Sequence, residues 1–198
     1  VNTLRVKLFW LLTLAFATAA PAGAELQQPA KLVDEVSSTL FSAINENREA
    51  YEQDIGKLEK LVREEFLPHL DAYYSARLIL GRESRDRSES EIREFADALG
   101  DLLVTRYAER LLEFESREQV EVLPLRGEIK ERLTRVRTRI TMSDGTEAPV
   151  DYAFHKTDNG WEVFDVIIEG ISYVTTYRNQ FGEEIRRDGF DAVLERIK

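Results

Sequence analysis

WEVFDVIIEGISYVTTYRNQF, residues Trp161–Phe181, contains more apolar surface than one sheet face and one helix stripe require. Within Trp161–Ile168 both alternating sets are apolar. Phe164, Val166 and Ile168 form one set and Trp161, Val163 and Ile167 the other, with only Glu162 and Asp165 interrupting. An antiparallel strand ordinarily keeps one wet face. Two dry faces therefore predict helices over both sides, or helices over one side and an apolar ligand over the other. After Ile168, Gly170 releases the chain and Ser172 caps a helix bearing Val174, Tyr177, Phe181 and Ile185. Gly189 ends that helix before a last one that carries Phe190, Val193, Leu194 and Ile197.

Upstream of this stretch the period is 2, and further upstream it is 3.6. Strands are predicted over about 118–125, 131–142, 148–156 and 161–169. Ser143-Asp144-Gly145 and Asp158-Asn159-Gly160 join the last three as three-residue loops with glycine in the left-handed position. That register places Val136 opposite Tyr152, Phe154 opposite Phe164, Tyr152 opposite Val166 and Val150 opposite Ile168. All of these are apolar or aromatic on one face, and a one-residue slip would turn the set over. Arg135, Arg137 and Arg139 suggest a phosphate clamp at first sight. The register instead places Arg135 opposite Asp151 and Arg139 opposite Glu147, as cross-strand ion pairs on a solvated face.

The preceding half reads as helix. Leu32, Val33, Val36, Leu40, Phe41 and Ile44 recur at helical spacing, as do Tyr51, Ile55, Leu58, Leu61, Val62 and Phe66. Pro68 breaks the pattern before a segment over Asp71–Leu80 that Gly81 terminates. Ser88 and Glu91 form a capping box opening a long helix to about Phe114. Gly100 inside it costs about 1 kcal/mol relative to alanine, so a close packing neighbour is expected there.

The N-terminus has the form of a secretory signal. Arg5 and Lys7 precede the apolar run Leu8–Ala20, and Ala22-Gly23-Ala24 supplies the small-residue cleavage pattern. The competing reading is an uncleaved anchor, but the run is well short of the roughly 20 residues of a span. Residues 1–24 are expected to be removed and 25–198 to form a single domain, with Val1 fitting a bacterial start and the periplasm the expected compartment. Loss of Arg5 and Lys7 would take the formal charge from −10 to −12, which argues against nucleic acid and against adsorption to anionic membranes. There is no cysteine, which excludes disulfides and thiolate chemistry.

Enzyme signatures are sparse. His69 and His155 lie in different elements without a neighbouring acid at metal-ligand spacing, so no metal site is expected. Asp165 is the one acid inside an otherwise apolar strand half. It either pairs with an arginine or caps a backbone donor, or it joins His155 across an apolar cup for proton transfer in a small cone-shaped α+β enzyme.

The quoted stretch resembles the signature of the MlaC-type periplasmic phospholipid carriers, the toluene-tolerance auxiliary family. Asp71–Arg82, ending Leu80-Gly81-Arg82, resembles the family's segment after the second helix. Leu103–Leu111 with Tyr107 resembles its long-helix motif, and Val150-Asp151-Tyr152 its third strand. The chain departs from the family at Glu83-Ser84, where an aromatic is common. The resemblance implies an α+β fold, a four-stranded antiparallel curved sheet wrapped by helices with an apolar cavity between sheet and helices. It also implies glycerophospholipid cargo without a cofactor. The lipid would be shuttled between an outer-membrane lipoprotein-porin complex and an inner-membrane ABC transporter complex with its substrate-binding subunit, maintaining outer-membrane lipid asymmetry. The physical case is consistent, since two chains of about 15 methylenes at about 0.8 kcal/mol each represent roughly 24 kcal/mol. Leu103, Tyr107, Val136, Ile140, Tyr152, Phe154, Phe164, Val166, Ile168, Val174 and Tyr177 are expected to line the cavity, the alternative being that they form a core. A periplasmic adaptor that binds protein and no lipid is the other competing reading.

Overall fold

Tyr51, at the head of the second expected helical stripe, belongs instead to the end of the first helix. The computed structural model describes residues 22–114, 119–124, 132–142 and 145–198, with side chains from residue 28, so most of the expected leader lies outside the described residues. Helix α1 spans Ala22–Gln53 and kinks at Asn47 (φ −129°, ψ 21°). There the Asn47 side-chain amide donates to the Ala43 carbonyl in competition with the backbone ladder. Helix α2, Ile55–Glu65, starts at Asp54, whose carboxylate accepts from the Gly56 N–H. Pro68 then lies in a short 3-10 turn, Leu67–His69, as the break requires.

Helix α3, Ala72–Leu80, is capped by Asp71 and ended by Gly81 at φ +60°. Helix α4, Glu89–Tyr107, opens with the Ser88–Glu91 capping box. It does not continue regularly to Phe114: Ala108–Glu113 tightens to 3-10 geometry. Arg48 of α1 supplies a reason, because its guanidinium donates to the carbonyls of Leu112 and Phe114, acceptors that an α-helical end leaves unpaired. Outside its own turn of helix, no heavy atom of the described residues lies within 4 Å of where a Cβ on Gly100 would sit, so the expected close neighbour is not found among them.

The sheet is an antiparallel meander in the order β1-β2-β3-β4-β5, over Val120–Val122, Leu133–Thr141, Glu147–Thr157, Gly160–Ile168 and Ile171–Ser172. The fifth strand is the addition to the expected four. Glu169 and Gly170 both take positive φ, the geometry of a two-residue hairpin turn, and this lets Ile171 and Ser172 pair back onto Ile168 and Ile167.

Between β2 and β3 the expected register is found: Val136 faces Tyr152, and Gly145 is left-handed in the loop. Ser143 and Asp144 lie outside the described residues. Arg135 faces Ala153 and Arg139 faces Pro149, so neither lies directly opposite the acid expected for it. The ion pairs form diagonally instead, Arg135 with Asp151 at 3.5 Å and Arg139 with Glu147 at 3.2 Å.

Between β3 and β4 the expected loop is one residue too long. Thr157 pairs with Gly160, which leaves Asp158-Asn159 as a two-residue turn. A bulge restores the register: Ala153 faces Asp165, Phe154 faces Val163, and Phe164 is the extra residue. Val150–Ile168 and Tyr152–Val166 therefore pair as expected, whereas Phe154–Phe164 does not. The bulge also turns Val163 and Trp161 onto the face of Phe154. Phe164 moves to the opposite face, where its ring meets Tyr74 at 5.4 Å and His155 at 5.6 Å.

Each sheet face has its own cover. On one, Val136, Phe154, Trp161 and Val163 pack against Val33 of α1. On the other, α3 is tied to β4 by the Asp71 N–H to the Val163 carbonyl at 2.8 Å and by the Ser75 hydroxyl to the Phe164 carbonyl at 2.8 Å. Helices α5 (Tyr173–Asp188) and α6 (Phe190–Ile197) join α3 and α4 in a separate core around Phe95 and Phe181. No described helix is long and apolar enough to cross a membrane.

Candidate lipid-binding site

An apolar pocket lies between α1 and the sheet. One wall is the stripe Leu32, Val33, Val36, Ser37 and Leu40, and the other is Tyr152, Phe154 and Val163; Phe66 and His69 border it. Its volume is about 60 Å³. The stripe is apolar at helical spacing because those positions share one side of α1. The sheet wall is apolar because the bulge brings Val163 into line with Phe154. Burial pushes the Tyr152 hydroxyl up to about 12, so at neutral pH it adds no charge to the wall.

The structure divides the eleven expected lining residues. Val136, Tyr152, Phe154 and Val166 belong to the cluster under α1, and Tyr152 and Phe154 face the pocket itself. Ile140 and Ile168 share that face by register, half-buried towards the other end of the sheet. Phe164 is on the reverse face. Leu103, Val174 and Tyr177 pack in the helical core, and Tyr107 is 38% exposed at its edge. The Tyr107 and Tyr177 hydroxyls lie 3.3 Å apart. Burial, then the hydrogen bond to Tyr107, pushes the Tyr177 hydroxyl up to about 12. The α1 wall was absent from the expected site, although its stripe was visible in the sequence.

The acid-base candidates separate. Asp165 accepts from the Ser172 hydroxyl at 2.6 Å and from the Val174 N–H at 3.0 Å, so it holds the start of α5. His155 is bonded to Asp71 at 2.9 Å, with its ring stacked on Tyr74 at 4.4 Å. The proposed His155–Asp165 pair is thus replaced by two separate links, each joining a helix start to the sheet. With Glu162 opposite on β4, Asp71 and His155 bring three ligand atoms within 4.8 Å of one another. Sequence spacing hid this candidate cation cluster, because Asp71 is far from His155 along the chain. The Asp71–His155 bond and the Tyr74 N–H on the other Asp71 oxygen account for the arrangement as a lock between α3 and β3.

A second, larger depression of about 820 Å³ lies between the end of α3, the following turn and α5. It is lined by arginines and contains none of the eleven expected residues.

The sequence model of the MlaC protein family matches residues 34–198. The Haemophilus influenzae intermembrane phospholipid transport system binding protein MlaC is 26% identical over 200 residues, covering 97% of this chain and 92% of that protein. The Pseudomonas putida toluene tolerance protein ttg2D is 24% identical over 166 residues, covering 83% and 76%. Among solved structures, the phospholipid-binding protein from Ralstonia solanacearum, in complex with a phospholipid, superposes with a TM-score of 0.75 at 24% identity, covering 84% of this chain and 93% of its own. With the family match running from residue 34 through the rest of the helices and the whole sheet to residue 198, the chain belongs to the MlaC family.

Proposed function

We propose that this protein is a periplasmic phospholipid carrier whose acyl-chain site is the pocket between α1 and the sheet. The observation that carries the reading is an apolar pocket under one helix in a fold whose solved counterpart holds a phospholipid. The Haemophilus relative, named for intermembrane phospholipid transport, supports the same cargo class. At about 60 Å³ the pocket has the volume of about two water molecules at about 30 Å³ each. Admitting an acyl chain therefore requires α1 to move away from Tyr152, Phe154 and Val163. The Asn47 kink supplies a hinge, and Arg48, bound to the Leu112 and Phe114 carbonyls, anchors the helix beyond it.

Val136, Tyr152, Phe154 and Val166 are the inner wall in this reading, and Ile140 and Ile168 extend it along the sheet. Leu103, Tyr107, Phe164, Val174 and Tyr177 support the fold from the far side. Residues 1–24 are a cleaved leader, which N-terminal sequencing of the exported protein checks. The carrier would exchange lipid with an inner-membrane ABC transporter complex and its substrate-binding subunit, and with an outer-membrane lipoprotein-porin complex, and so maintain outer-membrane lipid asymmetry. Mass spectrometry of gently purified protein tests the cargo. Glycerophospholipid is expected to co-purify; its absence, with failure to accept lipid from donor vesicles, would favour a lipid-free adaptor.

A further inference from the structure

The 820 Å³ depression departs from the charge of the molecule around it. The chain carries a formal charge of −10, yet Arg77, Arg82, Arg85, Arg178 and Arg186 converge on this groove. Glu83 and Glu183 also line it, which leaves an excess of three positive charges. Among the described residues none of the five arginines has a carboxylate partner within ion-pairing distance, although the Arg178 Nε donates to the Leu78 carbonyl. By contrast, Arg63, Arg87, Arg93, Arg110, Arg187 and Arg196 are all paired. In a chain so rich in acids, five guanidinium groups on one concave surface with no carboxylate partner among the described residues mark a place where carboxylates from elsewhere can bind.

The backbone keeps the groove open. Gly81, at φ +60°, ends α3 beside α5. A Cβ there would come within 3.7 Å of the Arg178 Nε, which donates to the Leu78 carbonyl. Gly182 leaves the α5 side without a side chain, and a Cβ there would meet an Arg186 nitrogen at 3.5 Å. Leu78 and Leu80 supply apolar surface between the charges.

We propose that this groove docks an acidic, carboxylate-rich segment of a partner protein. The inference goes beyond the carrier reading and stands without it. Guanidinium groups bind carboxylates through paired, directional hydrogen bonds, so arginine is suited to reading such a segment. The remainder of the acidic surface repels the same segment, which restricts docking to one place and one orientation. A flat anionic membrane fits less well: it cannot enter a concavity, and it meets the net charge of the whole chain.

The test uses the full mature chain and two fluorescent dodecapeptides, one glutamate-rich and one with lysine at the same positions, read by anisotropy at two salt concentrations. Wild type is expected to bind the acidic peptide in a salt-sensitive manner and not the basic one. R82Q/R85Q/R186Q is expected to bind it at least about tenfold more weakly. R93Q/R110Q, which removes paired arginines outside the groove, is expected to change binding less than about twofold. All of these side chains are exposed, and thermal unfolding verifies that the variants fold. Acidic peptide that fails to bind, or that binds the triple variant as well as wild type, would overturn the proposal. So would wild type sedimenting with phosphatidylglycerol vesicles through the same three arginines while ignoring the peptide, which would assign the groove to a membrane surface. Lipid content is measured in parallel and is expected to be equal in all variants, so loss of docking is distinguished from loss of carriage.

Discussion

Asp165 shows how a residue that looks catalytic in a sequence becomes structural once its neighbours are known. An acid among apolar strand residues invites a functional reading, but both of its oxygens are used, one by the Ser172 hydroxyl and one by the Val174 N–H. Hydrogen bonds to a charged group contribute about 1.5–3 kcal/mol. Asp165→Ala should therefore lower the urea-unfolding free energy by about that amount, and Asp165→Asn by less, since an amide oxygen still accepts. Tyr152 gives a prediction against pH. Its hydroxyl titrates at about 12 in the fold and at about 10 in an unfolded chain. A group raised on folding contributes stability that is fully present below the unfolded value. That contribution is lost as pH climbs towards the folded value, because the unfolded chain ionises first. The urea midpoint should thus fall between about pH 10 and 12, and Tyr152→Phe should make that fall shallower, the remainder coming from Tyr177, which is raised in the same direction.

Among the elements, α4 and β4 mark what the sequence could and could not disclose. The capping box of α4 was legible because Ser88 and Glu91 are three residues apart and act on each other alone. Its tightening after Tyr107 was not, because the Arg48 guanidinium that takes up the carbonyls of that segment is 64 positions from Leu112. In β4 the hydrophobic pattern fits strict alternation, and apolar residues on both sides conceal a change of phase. The bulge at Phe164 is visible only through its consequences: Val163 and Trp161 join the face of Phe154, and the half of the register nearer Ile168 stays as expected. Gly100 is the element-scale test. It lies inside α4 with open space where a side chain would project, so no close contact depends on glycine there. Gly100→Ala should raise stability by about 1 kcal/mol through helix propensity and the smaller entropy of the unfolded chain. A decrease in the denaturant midpoint would show that the position is needed for a motion or a contact made outside the isolated chain.

Across the whole molecule, the candidate site was half legible. Tyr152 and Phe154 were readable as one wall because strand alternation places them together. The opposite wall, from Leu32 to Leu40, was readable only as a helix stripe, since nothing local says which sheet face a helix will cover. Long-range pairing made that choice: the bulge defines an apolar face, and α1 covers it. On the proposed function α1 would be a movable wall, because a pocket of about 60 Å³ admits an acyl chain only if the helix lifts from Tyr152, Phe154 and Val163. Val36→Trp tests this directly. Val36 lines the pocket from the α1 side without belonging to the buried cluster centred on Val33 and Phe154, so an indole there occupies cargo space at limited cost to the core. Co-purifying phospholipid should fall about tenfold, equivalent to about 1.4 kcal/mol of lost affinity, while the thermal midpoint stays near wild type. Exposed Leu133→Ser, on the same sheet but outside the pocket, should leave lipid content unchanged. Undiminished lipid in Val36→Trp would place the acyl chains elsewhere, and Tyr107→Trp and Tyr177→Trp in the helical layer would then identify the alternative site. Loss of lipid in Val36→Trp with Leu133→Ser unaffected would place the acyl chains in the pocket beneath α1, between that helix and Tyr152, Phe154 and Val163.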